Sequence, residues 1–170
     1  MNDVFFMEEA LSLAKEAAAL DEIPIGAVIV LENRIIGRGL NRNRSENDPT
    51  CHAEIEAIRE ACKTMGNERL TGARLYVTKE PCAMCSGAII HARIAKVIIG
   101  AEDMRYGACG TVFNICGNEK MNHRPEIRFG IFREESSELL KSFFRAKRKK
   151  SNDQVSCPDS DIESVNFRDH

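Results

Sequence analysis

Apolar residues along this chain change their spacing several times, and each change marks an element. Over residues 3–20, Met7, Ala10, Leu11, Ala14, Ala17 and Ala18 recur at helical intervals with Glu8, Glu9, Lys15 and Glu16 elsewhere. That spacing predicts an amphipathic helix with Asp3 as its N-cap, stopped by Pro24 and Gly26. A short apolar run at 27–31, a turn at Glu32-Asn33 and a second run at 34–40, broken by Gly37 and Gly39, predict a hairpin. Residues 41–50 are polar and read as loop. From Ala53, the positions Ala57, Ile58, Ala61, Cys62 and Met65 define a second helix, with Gly66 as its C-terminal stop.

Further along, strands are predicted at 74–78 and 96–100, flanking a helix at 82–92 that is apolar on most sides. The unbroken run Val97-Ile98-Ile99 suits a strand buried on both faces of a parallel arrangement. Residues 101–127 are polar and dotted with Gly107, Gly110 and Gly117, a length that marks a functional loop or one concealing short helices. An edge strand follows at 127–132. A last helix at 134–149 is expected to turn Leu139, Leu140, Phe143 and Phe144 inward. Helices alternating with strands in this order predict an α/β fold: a three-layer α-β-α sandwich around a mixed sheet of about five strands.

Composition refines this picture in three ways. At 170 residues and 43% apolar content, the chain has enough material for one domain with a real core. The net charge of −2 hides an uneven distribution: residues 151–170 hold five acids against Arg168, a net of −4, which leaves +2 on residues 1–150. The expected organisation is therefore a folded domain over 1–150 and a disordered acidic tail over 151–170, where Ser, Asp, Asn and Pro mix without periodicity. The basic run Arg145, Lys147, Arg148, Lys149 and Lys150 just before that tail fits either a solvated helix end or phosphate contacts. Seven cysteines form no regular framework, no basic-then-apolar leader opens the chain, and no apolar stretch approaches a membrane span. A cytoplasmic protein with reduced thiols, and no membrane association, is expected.

In that setting Pro81-Cys82-Ala83-Met84-Cys85 reads as a metal-binding step. Thiolates three residues apart at a helix start can meet one ion, and the positive end of the helix dipole lowers their pKa. No second C-x-x-C is present, Cys109 and Cys116 are wrongly spaced, and His91, His123 and His170 follow no finger pattern. Only His52 carries a carboxylate two residues on, Glu54, at a loop-to-helix junction. Three protein ligands (His52, Cys82 and Cys85) leave one coordination position open, which is the arrangement of a catalytic zinc. Residues i and i+2 of a helix point about 200° apart, so His52 and Glu54 serve one site only if the helix begins within a residue or two of His52. Glu54 is then the carboxylate placed to take and return a water proton, with one Zn²⁺ per subunit as the cofactor. H-x-E followed by P-C-x-x-C is the signature of zinc-dependent nucleobase deaminases.

The chain also resembles the bacterial tRNA adenosine deaminases, from about residue 4 to residue 149. The likeness runs through Ile23-Pro24-Ile25-Gly26-Ala27, Asn41-Arg42, Asp48-Pro49-Thr50, His52-Ala53-Glu54, Glu80 to Cys85, Met121-Asn122-His123-Arg124 and Phe143-Phe144-Arg145. The downstream blocks are not demanded by zinc chemistry. The resemblance implies a cytidine-deaminase-like fold, a homodimer, and conversion of the wobble adenosine of a tRNA anticodon stem-loop to inosine. It implies zinc ligation by His52, Cys82 and Cys85 and proton transfer by Glu54. It also implies purine contacts from Asn41 and Ala53, a place for Asp103 along the RNA beside the flipped base, and contacts of Asn122, His123 and Arg145 with the anticodon arm. Two positions depart from the family pattern: Lys79 stands where leucine is usual, and Cys51 where alanine is common. From the residues alone Asn41 can also be read as a strand-end turn residue, and Asp103 as a loop cap or solvated acid. A deaminase of free guanine or cytosine, and a non-catalytic RNA-binding module whose zinc is closed by a fourth ligand, stay open as alternatives.

Overall fold

The computed structural model describes residues 3–155, with side chains to Lys149. Helix α1 (Asp3–Ala19) is followed by β1 (Gly26–Leu31), β2 (Arg34–Leu40), α2 (Ala53–Met65), β3 (Arg74–Lys79), α3 (Ala83–His91), β4 (Lys96–Ala101), β5 (Glu126–Phe129) and α4 (Arg133–Val155). The sheet order is β2-β1-β3-β4-β5. β1 is antiparallel to both β2 and β3, whereas β3, β4 and β5 run parallel.

Alternation along the central strands builds two separate cores. Ala27, Ile29, Leu75, Val77, Val97 and Ile99 pack with Ala53, Ala57 and Ala61 of α2 and Ile89 of α3. Their neighbours Val28, Val30, Tyr76 and Ile98 pack on the other face with Phe6, Met7 and Ala10 of α1. A two-residue period with both faces apolar is what a sheet sandwiched between helix layers requires. The expected three-layer α/β sandwich with five strands is the observed fold. Tyr76, fully buried, donates its hydroxyl hydrogen to Asp3 Oδ1 at 2.6 Å and so ties the start of α1 to the sheet.

Some boundaries agree with the expectations and others differ, each for a visible reason. The hairpin turn has Glu32 and Asn33 at φ 49° and 59°, the mirror-type turn that matches strand twist. Strand β2 is not broken at its glycines. A Cβ on Gly37 would stand 2.3 Å from Ala57 O, and one on Gly39 would stand 2.0 Å from Ala53 O. These glycines let α2 lie directly on the strand, and the irregularity falls instead as a register shift between Ile29 and Val30. Gly66 ends α2 in the left-handed conformation (φ 61°), its N–H reaching back to Cys62 O and Lys63 O. β5 is shorter than expected and closes at Gly130 (φ 106°). The connection 102–125 contains turns and an isolated bridge between Cys109 and Asn114, with no helix.

α4 also departs from its expected inward face. Among its residues with described side chains, Ser136 is the one fully buried, while Phe144 is 43% exposed. The helix continues to Val155, past the expected domain boundary at 150. The rest of the expected acidic tail, residues 156–170, lies outside the described residues. Among the described residues no helix is long and apolar enough to cross a membrane.

Candidate metal centre and substrate cavity

Two helix beginnings meet at one place. His52 is the N-cap of α2 and Cys82 the N-cap of α3, both with extended backbone and neither using its side chain as a cap. Cys82 thus precedes the helix instead of lying within its first turn, and Pro81 stands one residue further out. Cys85 comes from the first turn of α3 and is fully buried. His52 Nδ1 is 3.7 Å from Cys82 Sγ and 3.5 Å from Cys85 Sγ. All three donor atoms lie within 4.8 Å of one another, and among the described residues no fourth His, Cys, Asp or Glu joins them.

These distances fit zinc. Ligand bonds of about 2.3 Å to sulfur and 2.0–2.1 Å to nitrogen, at tetrahedral angles, separate a nitrogen from a sulfur by roughly 3.6 Å. The donor set, one imidazole and two thiols, is the soft-to-borderline kind that zinc takes. The two thiols are hydrogen-bonded to each other. The hydrogen bond from Cys85 pushes Cys82 down to about 4, against the effect of burial and with help from His52. The same bond, with burial, raises Cys85 far above the ordinary thiol range. The bond with Cys82 likewise raises His52, although burial opposes it.

Glu54, on the first turn of α2, is buried at 3% exposure, and burial lifts its carboxyl above the usual range. It opens with His52 and Cys82 onto a cavity of about 980 Å³. The floor of that cavity includes Asn41, Lys79, Glu80 and Asp103. Its rim is built by Met84, Met104, Arg105, Tyr106 and Phe113, and by Leu140, Lys141, Phe144, Arg145 and Arg148 of α4. The floor lies beyond the carboxyl ends of parallel strands β3 and β4, where open α/β sheets place their ligands.

Residues 1–101 match the model of the cytidine and deoxycytidylate deaminase zinc-binding region. The chain is 49% identical over 143 residues to a tRNA-specific adenosine deaminase of Agrobacterium fabrum, covering 84% of this chain and 94% of the relative. It is 45% identical over 148 residues to the protein of the same name from Bacillus subtilis, covering 87% and 92%. A solved structure from work on A-to-I editing by tRNA:A34 deaminases superposes with a TM-score of 0.78 at 48% identity, over 80% of this chain and 99% of that one. The chain belongs to the tRNA-specific adenosine deaminase family.

Within that family frame the other expected site residues divide. Asn41, 3% exposed at the end of β2, accepts the Ala53 N–H on its Oδ1 at 2.9 Å. It therefore supplies the cap that His52 does not, while its side chain also faces the cavity. Ala53 is fully buried against Gly39, outside the cavity wall, and its N–H is committed to Asn41. Asp103 lines the cavity, but both oxygens are engaged: Oδ2 with Lys79 Nζ at 2.7 Å and Oδ1 with Arg105 N–H at 3.0 Å. Burial would raise its carboxyl, and Lys79 and backbone N–H groups outweigh that, leaving it below the ordinary range.

Asn122 and His123 are not brought to the cavity of this chain. Asn122 O accepts from Arg93, and His123 Nε2 lies 2.6 Å from Ile94 O, so both brace the turn between α3 and β4. Arg145 reaches the rim and pairs with Glu138. The basic run is split. Arg145 and Arg148 face the cavity, whereas Lys147 pairs with Asp21 and lies 5.6 Å from the Phe143 ring centroid. Cys51 opens onto a different groove, beside Arg38 and Arg59, and away from the metal cluster.

Sequence reasoning missed the rim residues Met84, Met104, Tyr106 and Phe113, and assigned Phe144 to the core. It also passed over Glu80, which is 3% exposed.

Proposed function

We propose that this chain catalyses the hydrolytic deamination of adenosine to inosine at the wobble position of a tRNA anticodon, releasing ammonia. The observation that carries the reading is that one cavity joins His52, Cys82 and Glu54, backed by Cys85, to a rim of cations and aromatic rings. Bound at His52, Cys82 and Cys85, zinc would supply a polarised water with a pKa lowered towards roughly 7. Glu54 accepts one proton from that water at its carboxylate and passes it to the purine ring nitrogen, then accepts the second from the hydroxyl now on C6 and passes it to the departing amine, which leaves as ammonia. Its burial beside Cys85, outside the three-residue donor group, suits a proton carrier better than a ligand.

Asn41, whose oxygen accepts the Ala53 N–H, keeps its carboxamide nitrogen to donate to the base. Asp103 meets RNA as an ion pair with Lys79, not as a free carboxylate. An anticodon-loop adenine must be splayed out to reach this floor, at a cost of a few kcal/mol. Stacking of flanking bases on Tyr106 or Phe144 offsets that by about 1–3 kcal/mol per base. Arg105, Arg145 and Arg148 are placed for its phosphates. Asn122 and His123, lying off the cavity, are assigned to the body of the anticodon arm. A homodimer and a cytoplasmic setting belong to the same proposal. The first rests on the resemblance, the second on a tRNA substrate and on free thiols at all six described cysteines.

The experiment is a substrate panel on zinc-loaded protein: an anticodon stem-loop with adenosine at the wobble position, free adenosine, guanine and cytosine. Inosine should form in the stem-loop alone. Conversion of a free base with an untouched stem-loop overturns the proposal.

A further inference from the structure

We infer that Glu80 is a positioning residue that builds the substrate-facing wall of the cavity, holding residues 103–111 at a fixed distance from the metal cluster; this rests on the function proposed above. Its buried carboxylate accepts from Asp103 N–H at 3.0 Å, Cys109 N–H at 3.0 Å, Thr111 N–H at 3.2 Å and the Thr111 hydroxyl. These bonds grip both ends of one short segment. Gly107, in its middle, passes so close that a Cβ there would stand 2.3 Å from Glu80 Oε2.

A buried carboxylate is costly to desolvate, and its donors here all come from the one loop. What that loop carries explains the expense. Met104 and Tyr106 are 79% and 66% exposed, and both line the cavity with Arg105. Side chains left open to solvent on a backbone pinned from below form a preorganised binding wall.

The chain on either side of Glu80 completes the device. Lys79 fastens the Asp103 carboxylate from β3, so Asp103 is held by its backbone through one residue and by its side chain through the next. Pro81 O accepts the Ala108 N–H at 2.9 Å, and Cys82 follows as the N-cap of α3. Residues 79–82 therefore link wall and metal cluster through four consecutive positions.

The test compares Glu80→Gln and the milder Thr111→Val with the parent full-length protein. It measures zinc per chain, KM and kcat on the anticodon stem-loop, and amide hydrogen exchange in segments 103–113 and 83–91. Glu80→Gln should raise KM by about tenfold, the scale of one lost charge-assisted hydrogen bond. Exchange should quicken in 103–113 only, with zinc and the protection of α3 unchanged. Thr111→Val should shift the same quantities less. Unchanged KM and unchanged exchange in 103–113 overturn the inference, and so does loss of zinc together with protection in α3. Should the parent form no inosine, the functional reading fails, and the exchange pattern still decides whether Glu80 holds the wall.

Discussion

Asn41 illustrates how a single side chain can serve two ends, capping α2 through Ala53 while facing the substrate cavity. Its residue type allowed that from the sequence, since asparagine favours both strand ends and caps, but the partner is twelve positions away and only the fold supplies it. His52, Cys82 and Cys85 were legible for a different reason: metal ligation restricts residue type and spacing severely, and few side chains in the chain qualify. Glu80 was not legible, because a glutamate buried on loop N–H groups looks in sequence like any surface acid. Ser136 was equally silent. It is buried against Gly100, and its hydroxyl has no hydrogen-bond partner among the described residues. Ser136→Ala should therefore stabilise the protein by about 1 kcal/mol, a rise of roughly 2–4 °C in Tm measured by thermal unfolding. A lower Tm would show that the hydroxyl has a partner after all.

At the scale of elements, period and punctuation located every helix and strand among the described residues, and errors gathered where tertiary contact overrides local signal. Gly37 and Gly39 look like strand breakers, yet they are what permits α2 to rest on β2. That contact also matters to the site, because Gly39 touches Ala53 and so sets where the helix start carrying His52 lies. Gly39→Ala should cost at least about 3 kcal/mol in chemical denaturation and reduce zinc retention together with it. Gly66→Ala is the contrast: nothing lies within 4 Å of its Cβ position, and only its φ of 61° is strained, so a loss of about 1 kcal/mol with full zinc content is expected. Equal effects from the two variants would contradict the close-packing account. α4 misled for a related reason. Leu139, Leu140, Phe143 and Phe144 have core spacing, but the helix also serves as a cavity rim, which turns Phe144 outward.

For the whole molecule, the sandwich brings two helix starts and the ends of two parallel strands to one opening. The metal-type cluster, the buried Glu54 and the basic, aromatic rim thereby face a common space. The fold class followed from the order of elements, and the central chemistry from two short motifs. The shape of the cavity did not follow, since its wall comes from the irregular segment 102–113, where no periodicity exists to be read. The central claim is that three residues hold zinc while a fourth, Glu54, moves protons without holding it. The most direct measurement is therefore zinc per chain and single-turnover inosine formation for Glu54→Gln beside the parent protein. Zinc should stay at one per chain while the rate falls by at least about a hundredfold. Turnover close to the parent rate in the zinc-loaded variant, or loss of the metal with the carboxylate, would contradict it.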